Sequence, residues 1–296
     1  MSALGQSARV TEIGQDFEEL ALVGTQFEDA LITTQNDAAL IAGRGGYGAL
    51  QRMDMPLRLS RSSNRVDMRF NADHRMQMLR AETDADEPSS IIICDPLGQV
   101  RHRIQYMTAY DCRIAQCLSA QPNVNPQVER DDEADNVISL AAIRAARENW
   151  RKHDIGAHLN DFLLDGGRGR GCVLPHVSAS MAWKILPDVL TSFFTYLSNR
   201  KISHARVVCS GGVAQADVSP IDTVDALGSV ILGRREQNSF SVDMSRIGTA
   251  WVTVHAQTWL LELFDHDGMG AAVLAADPME NTKVWNELLC SLPRPR

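Results

Sequence analysis

Residues 91–107 read IIICDPLGQVRHRIQYM, and residues 260–276 read LLELFDHDGMGAAVLAA. Each is an apolar run that breaks at an Asp, turns at a Gly a few residues on, and resumes as further strand-like chain. That is the grammar of a β-hairpin. Asp95 and Asp265 stand at the two bends, where an Asp side chain accepts hydrogen bonds from its own backbone, so both read as structural rather than as an acid–base pair.

Working outward from the two hairpins, the flanking segments fall in the same order. The first half runs GRGGYGAL, NRVDMRF, HRMQMLRAE, then the hairpin and a short helix in YDCRIAQCLS. The second runs CSGGVAQA, FSVDMSR, TAWVTVHA, then the hairpin and a closing helix in MENTKVWNELLCSL. The triplet VDM recurs as Val66-Asp67-Met68 and Val242-Asp243-Met244. The shared order predicts an α+β protein: a tandem duplication of a strand-rich antiparallel-sheet unit, with helices between and at the ends of the halves. A cleft is expected where the halves meet, and ligand pockets favour such places.

Residues 121–136, QPNVNPQVERDDEADN, are almost without apolar content and read as a linker. The boundaries expected are 1–120 for the N-terminal repeat, 121–140 for the linker, and 141–296 for a helical connector plus the C-terminal repeat. Residues 138–164 are rich in Ala, Leu, Arg and Glu and predict helix, stopped by GGRGRG. Residues 176–200 carry apolar residues at helical spacing, with Pro187 near a first turn or a kink. In the first half, GRGGYG reads as a glycine-rich turn rather than a phosphate cradle.

Composition narrows the function. Hydrophobic residues make up 44% of the 296 and charged residues 22%, which suits a globular protein with a core. A net charge of −8 argues against duplex nucleic acid as the main partner, because a polyanion needs a clustered basic face. No apolar run reaches the roughly 18 residues of a membrane span. No secretory signal is recognisable at the start. The six Cys form no C-x-x-C pair and read as reduced thiols, which predicts a cytoplasmic setting. No P-loop, dinucleotide-binding fingerprint, zinc-protease motif or G-x-S-x-G occurs.

Five residues are candidates for a site. His158 lies in the predicted helix, in HDIGAHLNDFLL; a neutral imidazole on an apolar-flanked helix suits haem iron as an axial ligand. His153 is its nearby competitor. Arg168 and Arg170 follow in GGRGRG, where their guanidinium forks suit carboxylates such as porphyrin propionates; a solvated basic loop is the plainer reading. His255 and Gln215 are placed to line the cleft, or are ordinary strand residues. Trp183, Trp251, Trp259 and Trp285 are read as core.

With these pieces in order, the sequence resembles the HemS/HmuS-type family of bacterial haemin-utilisation, or haemin-degrading, proteins, which is itself a tandem duplication. VGTQFEDALITTQNDAALIAGRGGY resembles the family's opening strand and E-x-x-G-x-Y turn. SIIICDPLGQVRHRIQY stands for its SLQFFD-x-x-G segment, WLLELFDHDG for its TSLELFD-x-x-G, and VWNELLCSL for its closing W-x-x-L helix. The resemblance implies His158 as the axial ligand, from a D-x-H-x-F-F-x-L-L pattern, and Arg170 or Arg168 near the haem. It also implies a cytoplasmic protein that delivers haem or assists its breakdown to release iron, with a haem oxygenase or reductase as partner. The departures are specific. Pro88, Ser89 and Ser90 stand where the family has a basic residue, His255 falls near the family's Lys, Asp217 replaces a His, and a final YGQR has no counterpart. They leave open a diverged member that acts through protein contacts without haem.

Overall fold

In the computed structural model, the residues described are 9–14, 17–48, 51–52, 59, 64–71, 76–82, 89–118, 144, 150, 155–255, 258–280 and 282–295. The predicted linker and His153 lie outside them. The first half contains β1 (Arg9–Gly14), α1 (Phe17–Gly24), β2 (Ala30–Gln35), β3 (Ala39–Tyr47), β4 (Gln51–Arg52), β5 (Arg65–Phe70), β6 (Gln77–Glu82), β7 (Ser90–Cys94), β8 (Val100–Gln105) and α2 (Ala109–Ala115). The second contains α3 (Ile155–Asp165), α4 (Arg168–Val173), β9 (Ala182–Ile185), α5 (Leu190–Asn199), β10 (His204–Ser210), β11 (Val213–Ser219), β12 (Thr223–Leu227), β13 (Val230–Arg235), β14 (Asn238–Asp243), β15 (Ile247–His255), β16 (Thr258–Asp265), β17 (Gly270–Ala276) and α6 (Thr282–Cys290).

The mixed α+β class expected from the sequence is what forms. Within the first half the pairing runs β1–β6–β7–β8–β2–β3, all antiparallel. Within the second it runs β9–β15–β16–β17–β10–β11, also antiparallel. Each run is then extended by the other half: β14 adds to β3, and β5 adds to β11. The two halves are therefore sewn together by reciprocal strand pairing.

Side chains alternate across each strand, and the second-half sheet is covered on both faces. On β16, Leu261 and Leu263 enter a core with Phe193, Phe194, Leu197 and Trp285 from α5 and α6. Leu260 and Phe264 face the opposite core, with Leu159, Phe162 and Leu163 from α3. Two covered faces explain why LLELF is an unbroken apolar run except for its Glu. The first half's main core packs Phe17 and Leu20 of α1 and Ala115 of α2 onto Ile32, Met78, Ile91, Ile93 and Ile104.

Several expectations need correction. The VDM triplets are not equivalent: Ala39 and Val213 each open the second strand of a hairpin, and they pair with Val242 and Phe70 respectively. Val242 thus corresponds to Phe70 in register, four residues from Val66. GRGGY is not a turn but the end of β3, bonded to β2 and running beside β5. The stretch 176–200 is not one helical segment; β9 pairs with β15 before α5 begins, and a four-residue edge strand is too short to show a period of its own. GGRGRG ends α3 only at Gly166 and Gly167, both left-handed, and Arg168 then opens α4. The β12–β13 hairpin has no counterpart in the sequence reading. The four Trp expected in the core are there, with Trp183, Trp251 and Trp285 buried and Trp259 partly so.

Gly270 shows how closely α3 docks. A Cβ there would stand 2.2 Å from Phe162 Cδ1 and Cε1, while Phe162 is buried and stacked on Phe264 at 5.7 Å. Neither ring has room to retreat. Gly270→Ala is expected to cost about 1–3 kcal/mol through overpacking, read as a lower thermal midpoint; an unchanged midpoint would mean that the α3 docking is loose.

Candidate functional site

Helix α3 carries His158, and both halves of the sheet hold the helix in place. From the first half, Arg69 Nε donates to Asn160 Oδ1 at 3.0 Å, and Asn71 Nδ2 donates to the Leu163 carbonyl at 3.3 Å. From the second, Phe162 fills the space over Gly270 and Phe264. The Gly270 amide donates to the Gly166 carbonyl at 2.7 Å and so fixes the turn that leads into α4.

Arg170 of α4 is buried, with Glu262 of β16 beneath it at 0% exposure. Arg170 Nε and Nη2 each donate to one Glu262 oxygen at 2.5 Å, a two-pronged fork. Thr253 also donates to Glu262 Oε1. Arg170 Nη2 lies 3.2 Å from His255 Nε2, and Arg170 Nη1 lies 3.5 Å from Asp161 of α3. The guanidinium carbon stands 4.6 Å from the Trp150 ring, whose indole N–H donates to the Val254 carbonyl. His255 Nδ1 is 3.3 Å from the Trp150 carbonyl, so this network places its proton on Nδ1 and leaves Nε2 to accept from Arg170.

Of the five residues predicted, the structure therefore brings Arg170 and His255 together, at the foot of α3 and α4. Arg168 is exposed at the first position of α4. Gln215 lies elsewhere, in a buried chain of polar groups that the sequence reading missed. Tyr47 donates its hydroxyl to His102 Nε2 at 2.7 Å, and His102 Nδ1 donates to Thr34 Oγ1 at 2.7 Å. Thr34 donates to Gln215 Oε1 at 2.9 Å, and Gln215 Nε2 donates to the Ile32 carbonyl at 3.2 Å. Burial pushes the His102 imidazole down to about 3 and the Tyr47 phenol well above its ordinary value. The chain joins β3, β8 and β2 of the first half to β11 of the second, so no local spacing in the sequence announces it.

The two hairpin Asp residues do the structural work expected of them. Asp95 Oδ1 accepts from the Leu97 and Gln99 amides, and Asp265 Oδ1 accepts from the Asp267 and Met269 amides. Both border one cavity of about 350 Å³ at the C-terminal end of α3, where Arg101 and Asp37 of the first half face Leu163, Leu164 and Met269 of the second. All six cysteines are free. Among the described residues there is no group of three or more His, Cys, Asp and Glu that would hold a metal ion, and no helix is long and apolar enough to cross a membrane.

No family model matches the sequence, and neither does any curated protein. Solved structures do. Holo-PhuS, a heme-binding protein from Pseudomonas aeruginosa, superposes with a TM-score of 0.77 at 16% identity, over 98% of this chain and 88% of that one. The chain has the fold of PhuS. ChuS, the heme degrading enzyme of Escherichia coli O157:H7, matches with a TM-score of 0.76 at 17% identity, over 96% of this chain and 87% of that one. The HemS-type resemblance seen in the sequence thus holds at the level of the whole fold, and identity this low carries the fold alone.

Proposed function

We propose that this chain binds haem beside α3, with His158 as the axial ligand, and passes it on within haem utilisation. The observation that carries the reading is a histidine on the connecting helix of a chain that shares the fold of a heme-binding protein along nearly its whole length. The donor set fits in part. Arg170, His255 and Gln215 are buried and bonded to protein partners, which removes them from the expected ligand contacts. His158 and the exposed Arg168 remain, one imidazole for iron and one guanidinium for a propionate. Haem, when bound, supplies redox iron chemistry. The chain's own part is to bear the imidazole, to fix the helix that carries it, and to deliver the ligand or assist its breakdown, with a haem oxygenase or reductase as partner. A cytoplasmic setting belongs to the same proposal and suits six free thiols.

The pairing order supports a further element of the reading, that the two halves descend from one duplicated unit with boundaries near 1–120 and 141–296. Six strands are hydrogen-bonded in the same sequence in each half, and each half lends one strand to the other.

The test is titration of the purified protein with haemin, followed by absorption. His158→Ala is expected to change the haem spectrum and to weaken binding by about tenfold or more, ~1.4 kcal/mol, in a protein that still folds. The second reading, a member that acts through protein contacts without haem, is favoured by the internal pairing of Arg170, His255 and Gln215; absence of any haemin binding by the unaltered chain would decide for it.

A further inference from the structure

We infer that Arg170 and Glu262 are positioning residues: they set α3, and with it His158, for the ligand without touching the ligand themselves. The inference rests on the haem reading above and deepens it.

Glu262 is the single charged residue in the apolar run LLELF, and its side chain enters the face that α3 and α4 cover. A carboxylate buried at 0% exposure needs its charge met in place. Arg170 meets it with both prongs of its fork, and Thr253 adds a third donor. Arg170 therefore cannot turn to a propionate without leaving Glu262 buried and unpaired. What the guanidinium can still do is hold other elements. Its Nη1 reaches Asp161, three residues beyond His158 on the same helix. Its Nη2 reaches His255 on β15, and its flat face meets Trp150, which precedes α3 in the chain. One side chain thus ties α3 and α4 to β15 and β16. A helical ligand is only as well placed as the contacts beneath its helix, and a loss of order there is felt as lost ligand affinity.

The test uses the full chain and two probes: haemin, and haemin dimethyl ester, whose carboxylates are capped. Glu262→Gln and Arg170→Lys are each expected to weaken binding of both probes by about tenfold, to the same degree, and to alter the spectrum of iron ligation. Asp161→Asn, which leaves the buried pair intact, is expected to give a smaller effect of the same kind. In a His158→Ala background all three effects should vanish, because they act through that imidazole. If Arg170→Lys weakens haemin but not the ester, Arg170 touches a propionate and the inference is overturned. Unchanged binding in Glu262→Gln overturns it too. Should the unaltered protein bind neither probe, the haem reading fails by itself. Hydrogen exchange then tests the positioning role: faster exchange confined to α3 in Glu262→Gln supports it, and unchanged exchange there overturns it.

Discussion

Between about pH 7 and about pH 4.5 the protein is expected to lose on the order of 5 kcal/mol of stability to two buried histidines. His102 and His204 are both at 0% exposure, and burial is the leading cause that pushes each imidazole from 6.5 down to about 3. For His204 the neighbouring Arg206 adds to the depression. His204 Nδ1 donates to the Ile202 carbonyl at 2.9 Å, and its Nε2 faces Arg206 Nη1 at 3.5 Å, so a second proton would set two cations against each other. For His102 a second proton would have to replace the hydrogen bond that Nε2 accepts from Tyr47.

The sign follows from the direction of these shifts. The unfolded chain takes up a proton at each site as pH falls through 6.5, whereas the folded chain stays neutral until about 3. The stabilisation is fully present above 6.5 and is lost progressively below it, at about 1.4 kcal/mol per pH unit per histidine. Denaturant melts across this range measure it. In His102→Gln the loss between the same two pH values should be smaller by about 3 kcal/mol. Parallel curves for that variant and the unaltered protein would show that His102 is not the neutral buried group described.

Glu262→Ala is expected to cost about 3–5 kcal/mol, because it strips the buried guanidinium of Arg170 of its two-pronged partner and leaves only the part-exposed Asp161 at 3.5 Å. In a protein of this size that corresponds to a fall on the order of 10 °C in thermal midpoint. Removing both charges should cost much less. Arg170→Met with Glu262→Leu leaves no unpaired charge and fills similar volume, so most of the lost stability should return. A single variant that melts within about a degree of the unaltered chain would mean that water reaches the pair and screens it.

Local features were legible along the chain. Apolar runs broken by D-x-x-G made the hairpins at Asp95 and Asp265 legible, because an Asp at a bend satisfies its own backbone. The stretch 138–164, rich in Ala, Leu, Arg and Glu, made a helix around His158 legible, and the W-x-x-L segment did the same for α6. Even the buried ion pair left a trace: a Glu inside the five-residue apolar run LLELF demands a partner, though not which one. Tertiary structure alone decided the partner. Arg170 reads as a solvated loop residue until α4 docks over β16 and takes it out of water; Gln215 reads as a cleft residue until β11 meets β2 and Thr34 binds it. β9 exists because β15 offers an edge to pair with. The exchange of β5 and β14 between halves depends on strands more than a hundred residues apart meeting in register. Such choices turn on pairing and desolvation across the fold, and neither term is carried by residue type or spacing along the chain.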